Sequence, residues 1–259
     1  MKYTIYLFLL LSCSIHAQKA IETSFIKKAN FKASQLITID NFETKYFIRN
    51  NVFNKKDAHT TITYNNLQLG NITTANAFNP LKINLFYKDF NSVIILDNRL
   101  AEIFKIDFNA LPKYKNASHI STGHDNTIWV FDENNQKLEL FDYRTLTTRA
   151  QTVPIQSTIL DLKSNYNFCF LLTKNYLYTY NYFGSLVKRI KNDGYTQLAE
   201  SNGDIFLKKE NDLFYLKKGS ETTIPILIPN LLINAFFVTN ETLYIYANEI
   251  LHEYKIKID

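Results

Sequence analysis

One pattern recurs six times along this chain: a polar turn, an apolar strand, a short polar break and a second strand. The polar turns centre on Asp40, Asn79, Asp125, Asn165, Asn202 and Asn240, at intervals of 39, 46, 40, 37 and 38 residues. A repeat near 40 residues with strand-like content throughout constrains the fold severely. Each unit is one small sheet that cannot bury its own apolar faces, so successive units must stack on one another. Four strands per unit, arranged radially about an axis, satisfy that demand.

The second strand of each unit is the clearest. Its copies are Lys45-Tyr46-Phe47-Ile48, Ile83-Asn84-Leu85-Phe86-Tyr87, Ile128-Trp129-Val130-Phe131, Phe168-Cys169-Phe170-Leu171, Ile205-Phe206-Leu207 and Leu243-Tyr244-Ile245-Tyr246. These short β-branched and aromatic runs are bounded by Asn, Asp and Gly. They are almost continuously apolar, as expected of a sheet covered on both faces. The breaks that follow, such as Asn50-Asn51, Asn134-Asn135, Asn175 and Asn211, place Asn where a left-handed backbone is needed, in a chain with only six Gly. Outer strands such as Glu102–Ile106 and Leu186–Ile190 carry charge, which discourages edge-to-edge pairing. Sustained helical periodicity is absent. The fold class that follows is all-β, a six-bladed β-propeller.

The two ends of the chain fit together in this reading. The last unit provides three strands and stops at Asp259 without a fourth, while Ile21–Lys27 is a spare strand ahead of the first unit. Pairing the two predicts a ring closed by an N-terminal strand in the last blade, with no edge left open at the seam.

On period and strand pattern the chain resembles six-bladed propellers of the broad NHL and TolB-like type. The Gly-His and Trp-Asp pairs of WD40 repeats and the Ser-x-Asp-x-Gly turn of sialidase-type propellers are missing. The resemblance implies a fold and carries over no catalytic residue.

Residues 1–17 read as a signal peptide, with Lys2 followed by the apolar run Tyr6–Leu11 and a cleavage site after Ala17. A rival reading lipidates Cys13, but Leu11 is bulky for such a signal. Residues 18–259 then form a single β-propeller domain, exported to the periplasm or the outer membrane surface, with no transmembrane segment in the mature chain. Loss of the leader removes Lys2 alone and leaves 28 Lys and Arg against 24 Asp and Glu. The basic residues are scattered in short pairs, which argues against a nucleic-acid partner. Cys169 is then the only cysteine, so no internal disulfide can form, and its apolar neighbours predict a buried, inert thiol.

Motifs for chemistry are sparse. No phosphate-cradling Gly loop and no Gly-x-Ser-x-Gly elbow is present. The innermost strands begin at Ala33-Ser34-Gln35, Ile72-Thr73-Thr74, Ser118-His119-Ile120, Thr158-Ile159-Leu160, Tyr195-Thr196-Gln197 and Ile233-Asn234-Ala235. None of these trios holds a carboxylate, which counts against a hard-cation centre or a glycosidase pair on the axis. No metal and no cofactor is expected. The candidate ligand-binding residues are His119, His124 and Asp125, for their spacing around Gly123, and Tyr178, Tyr180 and Tyr182, from a run richer in Tyr than one strand needs. The features favour a non-catalytic binding or scaffold module, a monomer that presents one propeller face to an envelope protein and less readily to a glycan. The alternatives are a hydrolase or lactonase at the channel mouth and a small-molecule sensor.

Overall fold

A computed structural model describes residues 20–258. The leader, its cleavage site before Gln18 and Cys13 lie outside the described residues. The chain opens with β1 (Thr23–Asn30). Blade 1 follows as β2 (Gln35–Ile39), β3 (Lys45–Arg49), β4 (Val52–Lys56) and β5 (Thr61–Tyr64); blade 2 as β6 (Thr74–Asn76), β7 (Ile83–Tyr87), β8 (Ser92–Leu96) and β9 (Glu102–Asp107). Blade 3 comprises β10 (Ala117–Thr122), β11 (Thr127–Asp132), β12 (Lys137–Asp142) and β13 (Thr147–Gln151); blade 4 comprises β14 (Ile159–Ser164), β15 (Phe168–Thr173), β16 (Tyr176–Asn181) and β17 (Leu186–Lys191). Blade 5 is β18 (Gln197–Ser201), β19 (Asp204–Lys209), β20 (Asp212–Leu216) and β21 (Ile224–Ile226), and blade 6 is β22 (Ala235–Thr239), β23 (Thr242–Ala247) and β24 (Ile250–Ile256) with β1. Each blade is an antiparallel four-stranded sheet running outward from its first strand, and the first strands surround the axis.

Six hydrophobic clusters hold the ring together, and each lies between two neighbouring blades. Val93 and Ile95 of blade 2, for example, pack with Ile128, Val130 and Phe141 of blade 3. The near-continuous apolarity of the second strands has this cause, because their two faces serve two different cores. Cys169 is fully buried between blades 3 and 4, where burial pushes its thiol well above the ordinary range.

Tight turns supply the reversals. Asn50, Asn51, Asn91, Asn202, Asn240 and Asn248 adopt positive φ, as the Asn-rich breaks led one to expect. Not every break uses its Asn. Gln136 and Glu210 take the left-handed position in their turns, while Asn134, Asn135, Asn175 and Asn211 do not.

The ring closes as the sequence implied, with β1 antiparallel to β24 in blade 6. Two details differ from the expected Ile21–Lys27. The strand begins at Thr23 and continues to Asn30, with a bulge between Phe25 and Lys27. Ile21 leaves blade 6 and makes a parallel bridge to Ile226 in blade 5: its N–H donates to the Pro225 carbonyl at 2.9 Å, and the Leu227 N–H donates to the Ile21 carbonyl at 2.8 Å. The outer strand there, β21, is only three residues long. Pro225 at its centre lacks an N–H, which confines it to an edge position. The N-terminal segment therefore fastens both blade 5 and blade 6.

Blade 3 is unusual in burying charge. Lys115, in the connection leading to β10, is 3% exposed and pairs with Glu139 of β12, which also accepts from Thr148 Oγ1 at 2.6 Å. Such a pair contributes little net stability, but either charge left alone would be costly.

The closure makes a quantitative prediction. Ile21 is 6% exposed, while every residue of β1 after Thr23 is exposed, Phe25 resting edge-to-face on Tyr254 at 5.7 Å and Lys27 pairing with Glu253 at 3.4 Å, so the seam depends on backbone pairing and on Ile21 as its buried apolar anchor. Ile21→Asp should destabilise the protein by about 3 kcal/mol, lowering the melting temperature by roughly 10 °C. Phe25→Asp, at an exposed position, should cost about 1 kcal/mol or less. Equal effects at the two positions in thermal melts would overturn the anchoring role.

Candidate functional site

Strand direction alternates within each blade, so the turns after the first and third strands share one face of the ring. That face holds the mouth of the central channel. A cavity of about 380 Å³ lies there, bordered by residues 37–42 of blade 1, Ala75–Phe78 of blade 2, Lys163 and Ser164 of blade 4, Ala199–Asn202 of blade 5 and Phe236–Asn240 of blade 6. Blade 3 contributes none of this lining. Its first strand β10 packs against β7, the second strand of blade 2, since β6 is cut to three residues.

A buried polar network seals that recess. Asn76 Nδ2 donates to Ser121 Oγ at 3.1 Å, and Thr122 Oγ1 donates to Asn76 Oδ1 at 2.8 Å. Ser121 and Ser164 hydroxyls meet at 2.7 Å, and Asn84 Nδ2 donates to Thr122 Oγ1 at 3.0 Å. Blades 2, 3 and 4 are thereby tied together just under the mouth. Above them the exposed rings of Phe78 and Tyr166, from the turns of blades 2 and 4, meet edge-to-face at 5.0 Å.

The channel wall carries carboxylates after all. The six starting trios are indeed free of them, but the innermost strands continue past those trios to Asp161 and Lys163 on β14 and Glu200 on β18. Asp161 Oδ1 pairs with Lys163 Nζ at 3.2 Å, and its Oδ2 accepts from the Leu198 N–H of blade 5 at 2.9 Å. Glu200 Oε1 accepts from Asn165 Nδ2 and from the Gly203 N–H, both at 2.7 Å. Burial pushes the Glu200 carboxyl above the usual carboxylate range, against the pull of those two donors. Asp40 is committed to its turn, accepting from the N–H groups of Phe42 and Thr44 at 2.9 Å each and from the Tyr46 hydroxyl at 3.2 Å.

The singled-out residues separate into distinct settings. His119 sits on β10, half buried, with Nδ1 3.0 Å from Ser118 Oγ, and burial lowers its pKa against the opposing effect of Asp161. His124 and Asp125 lie in the exposed turn of blade 3, Nε2 to Oδ2 at 3.4 Å. Gly123 is required there, because a Cβ would stand 2.7 Å from the Thr127 carbonyl oxygen. Tyr180 is buried between blades 3 and 4, and Tyr178 packs on it with ring centroids 6.0 Å apart. Tyr182 alone of the three is exposed, its ring 5.4 Å from His124 and 4.1 Å from Phe183. The structure thus brings His124, Asp125 and Tyr182 together and leaves His119, Tyr178 and Tyr180 elsewhere. Among the described residues no three His, Cys, Asp or Glu side chains converge as metal ligands, and no helix is long and apolar enough to cross a membrane.

Of the exposed aromatics on the mouth face, sequence reading named Tyr182 and missed the others. Phe42 (88% exposed), Leu81, Tyr166 and Phe183 (65% exposed) join Phe78 and Tyr182 on the mouth face. Each belongs to a turn, where an apolar residue has no strand pattern to flag it. The opposite face exposes apolar side chains too. Its exposed apolar residues mix the aromatic Phe90 and Tyr114 with the aliphatic Leu67, Val153, Leu227 and Leu232, and they do not gather around a cavity of the size found at the mouth.

Comparison with known proteins supports the architecture. Virginiamycin B lyase from Staphylococcus aureus superposes with a TM-score of 0.62 at 9% identity, covering 90% of this chain and 99% of that one. The WD40 domain of Neurospora crassa Pan2 gives 0.59 at 10% identity, covering 86% and 74%. BamB from Moraxella catarrhalis gives 0.52 at 8% identity, covering 90% and 99%. At these identities the likeness concerns the fold alone. It is a fold shared by enzymes and by scaffolds. No protein-family model and no curated protein matches the sequence.

The raised Glu200 carboxyl has a consequence for stability. Unfolded, the group ionises in the ordinary range; folded, it holds its proton to higher pH. Native stability therefore falls as pH rises from the unfolded pKa through the folded one, and the loss is complete above it. Glu200→Gln cannot ionise and should escape this fall. The unfolding free energy of the variant minus that of wild type, from urea melts, should increase between pH 4 and pH 8. The rise is about 1.4 kcal/mol for every ten-fold by which folding weakens the acid. A difference that stays flat with pH would contradict the burial argument.

Proposed function

We propose that this protein is a non-catalytic binding module of the bacterial envelope that presents its channel-mouth face to a protein partner. The observation that carries the reading is the aromatic rim. Phe42 and Phe78 line a recessed cavity, and Tyr166, Tyr182 and Phe183 stand exposed in turns of the same face. Exposed aromatics cost free energy in water and are the side chains that dominate protein interfaces. The envelope location rests on the leader-like residues 1–17, and the chain is taken to act as a monomer.

A hydrolase or lactonase at the same mouth is the second reading, favoured by the raised carboxyl of Glu200. Two points weigh against it. One oxygen of Glu200 is committed to Asn165 and Gly203, and Asp40 is saturated by its own turn. A glycosidase needs a second carboxylate free to act.

The test is capture from an envelope fraction with the wild-type protein and with Phe42→Ser/Phe183→Ser, both changes at exposed rings and expected to leave the melt unaltered. A specific partner should be captured by wild type and lost by at least about ten-fold in the variant. Undiminished capture would defeat the assignment of this face. Turnover of a lactone or glycoside library that disappears in Glu200→Gln would establish the enzyme instead. Extraction with and without detergent distinguishes a cleaved leader from a lipid on Cys13.

A further inference from the structure

The binding-module reading leaves open what the partner inserts into the mouth. We infer that the cavity receives a single cationic side chain, arginine or lysine, projected from the partner. The inference rests on the proposed function and names the chemistry of the group recognised.

Three observations carry it. The first is charge. Asp40, Glu200 and Lys163 border the cavity, and Lys163 is already matched by Asp161 within β14. The mouth of a chain with net charge +5 is therefore locally acidic. The second is an unused acceptor. Glu200 Oε1 takes two hydrogen bonds, while Oε2 has no hydrogen bond among the described residues. A carboxylate oxygen with no protein donor is free to take a charge-assisted hydrogen bond from a cation. The third is the wall. Phe42, Phe78 and Phe237 line the cavity, and aromatic faces attract a cation while covering its aliphatic stem.

Geometry narrows the occupant further. A cavity of about 380 Å³ sits at the small end of ligand sites. It has room for one long side chain and none for a helix or a strand. A phosphate or a carboxylate would meet Glu200 and Asp40 with like charge. A neutral apolar chain would leave Oε2 unpaired.

The smallest probe of this chemistry is Nα-acetyl-argininamide, with Nα-acetyl-norleucinamide as the apolar control and the Nα-acetyl amide of glutamate as the acidic one. Each is titrated into the mature chain and followed by amide chemical shifts or calorimetry. The arginine probe should bind at about millimolar affinity and at least about ten-fold more tightly than norleucine. Glu200→Gln keeps an acceptor for Asn165 and Gly203, so the mouth stays built, and it should lower arginine affinity by about ten-fold or more. Phe78→Ala, at a partly exposed ring, should lower it by about three-fold. Norleucine binding equal to arginine, preference for the glutamate probe, no binding of arginine, or an unchanged affinity in a folded Glu200→Gln would each overturn the inference. If arginine fails while partner capture still depends on Phe42 and Phe183, the binding face survives and only the inserted group is wrong.

Discussion

The pairing of β1 with β24 is the constraint on which the rest of this structure depends. Among the described residues each hydrophobic cluster lies between two blades, so a blade with a free neighbour position would leave an apolar face in water. Blade 6 belongs to two of those cores and is built from both chain ends, three strands from the C-terminus and one from the N-terminus. The seam turns a row of sheets with two exposed apolar ends into a closed ring. It does so with few side-chain contacts, since β1 lies almost wholly in solvent. The anchor that compensates is Ile21, which reaches past its own blade to lock onto β21.

The channel mouth inherits its shape from a local failure of symmetry. Where β6 is only three residues long, β10 also meets β7, and no residue of blade 3 lines the cavity. The gap is closed by hydroxyls and amides from three blades, Asn76, Ser121, Thr122 and Ser164, which satisfy one another without charge. Such a fully paired network in a dry setting is stiff. It gives the aromatic rings of Phe78 and Tyr166 a fixed base, and rigid aromatic anchors lose little entropy on binding.

Periodicity made the architecture legible. The six turns, the strand-sized apolar runs and the missing fourth strand of the last blade each follow from local composition, and each is found in place. The wall of the mouth was harder to read for a physical reason. Sequence spacing locates where the innermost strands start, but the mouth lies where they end. Asp161, Lys163 and Glu200 lie beyond the trios at the strand starts, and a bulge in β14 shifts the register on the way. The Tyr run shows the same limit. Tyr180 reads as surplus to one strand, yet it fills the core between blades 3 and 4 because strand three of one blade faces the next. Only Tyr182, set in the turn beyond the strand, reaches the surface. The rim phenylalanines sit in turns, where neither the two-residue nor the 3.6-residue period applies and burial cannot be inferred from position.

Glu200 occupies a position that joins these threads. It stands on the innermost strand of blade 5 and is held by Asn165 of blade 4, while Asp161 of blade 4 accepts from Leu198 of blade 5. The two carboxylates thus cross-link neighbouring blades in opposite directions. A carboxyl held through one oxygen in this way stays partly withdrawn from water, and burial is the largest cause of its raised ionisation. A partner that supplies a positive charge would recover the solvation the fold withholds, and the rigid ring would lose nothing in rearrangement. Flexible loops can offer a carboxylate to solvent cheaply; a closed ring of radial sheets holds one part-buried on an innermost strand, and under the inferred mode of binding that restraint would let the mouth discriminate by charge.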